Sequence, residues 1–299
     1  MPAFILLAVI LQLFVPPVNA YQDPLVYEYR ATRELVTLVN QAAALFAQKG
    51  KEAFKEFSRP GSRWLHGKHY IFMYDMRGVC VFHPITPDHI GKNRWNTRDI
   101  TGKPVHQMLI NIAGRASKPY GWAHYHRPSP NGLYPVWKST YVVGVRGPSG
   151  ELYALGSGLY NMRMEKLFIV DLVDQAAELI ARKGAESFST LADPAGPFTF
   201  ANTYVYVLSP DGWMKLDPAF PHGPPRNALN FKDAAGHLFI REILNRIKGK
   251  ETAWGMYMWP RPGETTPSKK LMYLRRVRVK DQVYLVGADL FKASPIWMH

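Results

Sequence analysis

Apolar positions follow a helical period early in the chain. Leu35, Leu38, Ala42, Leu45 and Phe46 fall at spacings of three and four, and Gly50 supplies a stop. The same rhythm returns at Val170, Val173, Ala177 and Ile180, closing near Gly184. After each helix the pattern shortens to a strand hairpin. The first is YIFMYDMRGVCVFHP (70–84), with a turn at DMRG; the second is YVYVLSPDGWMKLDP (204–218), with a turn at SPDG. Mixed segments follow at 85–116 and 219–250, and their later parts, VHQMLINIAGRA and LFIREILNRIKG, read as helical. Three strands close each half: WAHYHRP, KSTYVVGV and LYALGSGLY, then WGMYMWP, KLMYLRRVRV and VYLVGADLF. The order is helix, two strands, helical segment, three strands. It predicts an α+β domain with an antiparallel sheet.

The two halves are copies. Between 39–58 and 173–192, ten of twenty positions are identical. At the same offset Tyr70 meets Tyr204, Phe72 meets Tyr206, Gly78 meets Gly212, and the His83–Pro84 pair meets Asp217–Pro218. After small deletions Trp122 meets Trp254, Tyr125 meets Tyr257, Lys138 meets Lys270, Tyr141 meets Tyr273 and Gly156 meets Gly287. Ordered matches of this kind mean a duplicated domain. The boundaries read as 21–164 for the first copy and 165–299 for the second. Each copy carries its own helix, which allows two separate beads.

Residues 1–20 read as a signal peptide. An apolar run, AFILLAVILQLFV, precedes PPVNA, and Val18 and Ala20 suit cleavage after Ala20. The expectation is a periplasmic or secreted protein. The alternative is an uncleaved segment tethering the chain to the inner membrane, the only route to a membrane partner, since no later window approaches a span.

Composition narrows the chemistry. Cys80 is the single cysteine among 299 residues, which excludes an internal disulfide, a CxxCH haem site and cysteine-based zinc sites. The net charge of +14 suggests anionic partners, such as small carboxylates or an acidic envelope. Nucleic acid is not expected, because no nucleic-acid motif accompanies the charge. HExxH, GxSxG, Walker A and Rossmann GxGxxG motifs are missing, so no catalytic residue is nominated and no enzyme or cofactor is expected.

The stretches YIFMYDMRGVCVFHP, IGKN, DITGKP, GWAHY, WKSTYVV and ALGSGLY, in this order, resemble extracytoplasmic Cache sensor domains of the single-Cache type 2-like class, twice in tandem over roughly 30–292. The resemblance implies two PAS-like domains, each an antiparallel sheet of about five strands with a long N-terminal helix. It also implies non-covalent binding of organic acids, amino acids or amines in the sheet's concave face. Typical members continue into a second membrane span. The sequence to His299 shows none, which reads as a binding protein whose receptor, kinase or transporter lies on another chain.

Strand alternation sorts the candidate ligand contacts. Cys80 and Phe82 should share a core face, leaving His83 and its counterpart Asp217 on the other. Trp122 and Tyr125 are three apart, as are Lys138 and Tyr141, so in regular strands each pair divides between two faces. Lys138 and Tyr125 are the favoured donors for a carboxylate; Trp122 offers an aromatic wall. Tyr70 and Phe72 share a face open to either core or pocket. The candidate set is therefore Tyr70, Phe72, His83, Trp122, Tyr125, Lys138 and Tyr141, with Tyr206, Trp254, Tyr257, Lys270 and Tyr273 in the second copy. The first copy is expected to be the main site, for a small anionic metabolite. Two other readings stay open: a ligand-free envelope adaptor using Arg276, Arg278 and Lys280, and a metal-dependent enzyme using His83, His124 and His126.

Overall fold

The computed structural model describes residues 21–129, 134–221, 226–261 and 263–291, so the leader at 1–20 and the final residues 292–299 lie outside the described residues. The first lobe opens with the long helix α1 (Arg30–Lys49), followed by the short α2 (Ala53–Phe57) and strands β1 (Leu65–His66), β2 (His69–Tyr70), β3 (Phe72–Asp75) and β4 (Cys80–Phe82). Helix α3 (Val105–Ala113) and strands β5 (Tyr120–Pro128), β6 (Pro135–Arg146) and β7 (Leu152–Tyr160) complete it. The second lobe repeats the order with α4 (Lys166–Lys183), α5 (Phe188–Ala192), β8 (Thr199–Phe200), β9 (Thr203–Leu208), β10 (Met214–Leu216), α6 (Phe239–Ile247), β11 (Thr252–Pro260), β12 (Pro267–Val279) and β13 (Gln282–Phe291).

The first sheet runs β4-β3-β7-β6-β5 and the second β10-β9-β13-β12-β11, with β8 added beside β9. Every pairing is antiparallel, as the alternating pattern and short turns require. Both long helices end where the sequence places a glycine: Gly50 has φ +56° and Gly184 φ +58°, a region costly for any residue with a Cβ.

Each sheet is covered on both faces. The long helix packs on one side through Leu35, Val39, Ala42 and Phe46, or through Phe168, Val173, Ala177 and Ile180. The short helix α3 or α6 packs on the other. The loop before each short helix is tied to the sheet by one aspartate. Asp99 accepts hydrogen bonds from the N–H groups of Thr101 (2.8 Å), Lys103 (2.9 Å) and His126 (2.7 Å). Asp233 does the same for Ala235, His237 and Met258, each at 2.9 Å.

The lobes are not separate beads. One continuous apolar core runs from α1 through the first sheet to α4 and the second sheet. Phe168 of α4 lies 4.5 Å from Trp122, and Phe200 of β8 stacks on His124 at 3.8 Å. A charged cluster seals the seam. Arg115 bridges Asp171 (3.3 Å) and Glu178 (2.6 Å), Lys118 bridges Asp174 (3.1 Å), and Arg275 pairs with Asp174 from the second sheet. Asp171 also accepts from the Trp122 backbone N–H at 2.6 Å. The amphipathic period of α4 shows one apolar face but not that this face is shared by two sheets.

Candidate ligand-binding chambers

The sheet face turned away from the long helix forms the floor of a chamber in each lobe, roofed by the short helix. In the first lobe the floor carries Tyr70, Phe72, Tyr74, Tyr125, Arg127 and Lys138; His83 and α3 close the space. Tyr125 and Lys138 stand directly opposite each other across the β5–β6 ladder. Lys138 is only 2% exposed. Its Nζ donates to the Tyr70 hydroxyl at 2.6 Å and sits 4.5 Å from that ring's centre and 5.2 Å from that of Tyr160. Among the described residues no carboxylate lies within ion-pair range of Lys138, and none lines the chamber. Burial, with Arg127 adding repulsion, pulls its pKa down to about 8.

Two histidines border the same space. His83 stacks over Phe72 and accepts from the Thr86 N–H at 3.1 Å. His106 meets the Tyr74 ring at 4.6 Å, and its Nδ1 has no partner. Burial and nearby cations depress both to about 3, so each is neutral at ordinary pH. The chamber is tight: its volume is about 20 Å³, room for roughly one water.

The second chamber is open, at about 550 Å³. Tyr204, Tyr206, Tyr257, Lys270 and Asp289 form its floor, Phe239 and Ile240 of α6 its roof, and Asp217, Arg226 and Trp259 part of its rim. Here the buried lysine has a counter-charge. Asp289 lies 3.5 Å from Lys270 and accepts hydrogen bonds from Tyr206 (2.9 Å) and Tyr257 (2.7 Å). Burial and then the Asp289 charge drive both phenols well above their ordinary pKa. Arg226 pairs with Asp217.

Glycine makes both floors possible. A Cβ on Gly156 would lie 3.0 Å from the Phe72 ring, and one on Gly287 would lie 2.6 Å from the Tyr206 ring. The aromatic side chain rests on bare backbone in each lobe.

The candidates divide between two faces. Tyr70, Phe72, His83, Tyr125 and Lys138 come together in the first chamber; Tyr206, Tyr257 and Lys270 come together in the second. Trp122, Tyr141, Trp254 and Tyr273 do not join them and pack on the long-helix side. Trp122 donates its indole N–H to Tyr27 at 2.9 Å, and Trp254 meets the Tyr273 ring at 4.8 Å. The β5–β6 and β11–β12 ladders run without a register shift, so residues three apart oppose each other as strand period dictates.

Two expectations are corrected. Cys80 and Phe82 do not share a face: Cys80 packs on the chamber side and Phe82 on the helix side. A bulge between their partners Tyr74 and Met73 shifts the register there, which strict alternation cannot foresee. The histidines do not form a metal site. His124 lies on the helix side against Phe168 and Phe200, across the sheet from His83, and among the described residues no three metal-ligating side chains converge.

Comparison with known proteins follows the same division. The sequence profile described as single Cache domain 2 matches residues 33–147 and again 172–290. The chain belongs to this family. Chemotaxis and chemoreceptor proteins are among the similar solved structures. A methyl-accepting chemotaxis protein from Vibrio parahaemolyticus is 19% identical, with 44% of this chain and 88% of that one covered and a TM-score of 0.36. A Cache chemosensory domain solved for carboxylic acid recognition is 25% identical, with 44% and 92% covered and a TM-score of 0.36. The ligand-binding domain of the Pseudomonas fluorescens chemoreceptor CtaA with L-isoleucine is 9% identical, with 88% and 84% covered and a TM-score of 0.30. No curated protein matches the chain. Among the described residues no helix is long and apolar enough to cross a membrane.

Several chamber residues of this Cache pair were missed by sequence reasoning. Arg127 and Tyr160 flank Lys138, His106 hangs from the roof, and Asp289, Asp217 and Arg226 set the charge of the second chamber. One signal was available. Alignment of Gly156 with Gly287 places Gly158 opposite Asp289, a change from no side chain to a carboxylate within a recurring motif.

Proposed function

We propose that this chain is an extracytoplasmic tandem-Cache sensor, exported by its leader, with lobes spanning 21–164 and 165–299. It binds small molecules without transforming them and hands the occupied state to a separate receptor, kinase or transporter. Its first lobe recognises a small carboxylate-bearing anion at Lys138. One observation carries this reading: a buried ammonium that, among the described residues, has a single phenol as hydrogen-bond partner and no carboxylate nearby. An unpaired buried charge is expensive, and a ligand carboxylate would offset that cost with a charge-assisted bond. Arg127 adds a second cation, and the neutral histidines add no competing charge. Entry requires α3 to move, because Val105, His106 and Leu109 roof a space too small for an organic acid. That displacement is the change a partner would read.

The test is a thermal-shift screen of small carboxylates on wild type and Lys138→Ala. A ligand at one hundred times its dissociation constant stabilises by about 2.7 kcal/mol. The expected result is a subset of acids that stabilise wild type and not the variant. Equal stabilisation of both proteins would remove Lys138 from the site.

A further inference from the structure

The surface on which α4 meets the first lobe has a counterpart on the second lobe that stays open. β5 and β11 are the matching outer strands of their sheets. On β5, Trp122 and His124 lie under Phe168 of α4 and Phe200 of β8 and are 4% and 5% exposed. Their counterparts on β11 are Trp254 and Met256, followed by Met258 where β5 has His126. The β11–β12 ladder keeps its register, so all three share one face. Trp254 and Met258 are half-buried, and Met256 is 52% exposed.

The charges follow the same plan. Beside β5, Arg115 and Lys118 stand against three carboxylates of α4: Asp171, Asp174 and Glu178. Beside β11, Lys250 takes the Lys118 position, Lys248 lies in the same loop, and Arg246 donates to the Trp254 carbonyl at 3.3 Å. All three are exposed, and among the described residues none has an ion-pair partner. Glu251 is the one carboxylate of that loop.

We infer that the open face of β11 docks an acidic amphipathic helix of a partner protein, seated there as α4 is seated on β5. This rests on the sensor reading above only in taking the occupant to be a separate chain, and it does not depend on what either chamber binds.

α4 shows what such a helix needs. Phe168 lays its ring against Trp122, and Asp171, Asp174 and Glu178 follow three, six and ten residues later, at helical spacing. On the open face a tryptophan and two methionines form an apolar seat that adapts to its occupant, and the three cations complement carboxylates. One position differs. Ala253 stands where β5 has Gly121, and a Cβ on Gly121 would fall 2.5 Å from the Asp171 carboxylate. The docked helix therefore needs a small residue at the Asp171 position and acids at the other two. A second copy of this chain is a poor occupant. Its α1, the twin of α4, has Thr37, Asn40 and Ala44 at the three acidic positions and carries Arg30 and Arg33 at its N-terminal end.

Fluorescence anisotropy of the full chain with a labelled synthetic peptide tests this. The probe is the α4 sequence (166–183) with Asp171→Ser, held helical by a side-chain cross-link away from Phe168, Asp174 and Glu178. The control adds Asp174→Asn and Glu178→Gln. The probe should bind, more weakly as salt rises, and the control should bind at least tenfold more weakly. Met256→Glu and Lys250→Glu alter exposed side chains outside both chambers. Each should weaken the probe at least tenfold and leave the melting temperature unchanged. A probe that does not bind overturns the inference. So do equal affinities of probe and control, and a probe affinity that neither variant changes. Sedimentation velocity tests the rival occupant: a wild-type dimer that Met256→Glu dissociates would assign this edge to a second copy and overturn the partner helix. A failed carboxylate screen sinks the sensor reading alone; a silent probe sinks this inference alone.

Discussion

Replacing Lys138 by methionine should make the empty protein more stable while destroying its recognition of anions. Met preserves the length of the side chain and removes the charge. A lysine brought from 10.5 to about 8 carries a penalty in the folded state below pH 8. At about 1.4 kcal/mol per pH unit, that penalty is about 3.5 kcal/mol. The variant loses one hydrogen bond to Tyr70, worth about 1 kcal/mol; the Tyr70 hydroxyl keeps Tyr160 beside it. The net expectation at pH 7 is a gain of about 2.5 kcal/mol. The sign with pH is fixed by linkage. Between pH 8 and 10.5 the unfolded chain holds a proton on this lysine that the folded chain has released, so wild-type stability rises with pH across this window. The variant lacks that rise, and the gap should shrink steadily from pH 8 to 10.5. Lys103, also depressed to about 8 by burial, is present in both proteins and cancels in the difference. Urea denaturation at pH 7, 8, 9 and 10, followed by tryptophan fluorescence on protein refolded from urea to strip bound molecules, measures the gap. A variant less stable than wild type at pH 7, with a difference that does not change with pH, would refute the claim that Lys138 is a buried charge held without a counter-ion.

Two further outcomes follow from the packing. Gly287→Ala should cost about 1–3 kcal/mol in urea denaturation, because its Cβ would fall 2.5 Å from Leu274 Cδ2 and 2.6 Å from the Tyr206 ring. Gly156→Ala, with its nearest contacts at 3.0 Å, should cost less. Asp171→Asn should destabilise by about 3 kcal/mol, since it leaves Arg115 without one carboxylate in a seam where both side chains are almost wholly buried. A melting temperature within a degree of wild type would show that the seam does not hold the lobes together.

Much of the fold was legible because it rests on periodicity. Leu35 to Phe46 and Val170 to Ile180 repeat at helical spacing, and the strands alternate, so element type and order followed directly. Duplication strengthened this by reading each element twice. The chamber was half legible. Strand alternation correctly set Tyr125 and Lys138 on the face opposite Trp122 and Tyr141. It failed at Cys80 and Phe82, where a bulge inserted by the β3–β4 turn region breaks the period. Arg127 and His106 escaped notice because one lies beyond the aligned aromatic motif and the other on a helix whose apolar face hides a lone imidazole.

The sequence by itself determined that two related α+β domains are present, which side chains share a strand face, and that a lysine and a tyrosine recur at matched positions in both copies. These are local or pairwise properties, written in spacing. Only the tertiary structure decided that α4 is shared between two sheets, that one chamber is closed and the other open, and that Lys270 has a carboxylate beside it while Lys138, among the described residues, has none. Charge balance in a buried site depends on which strands are neighbours in space, and Asp289 reaches Lys270 only because β13 pairs with β12.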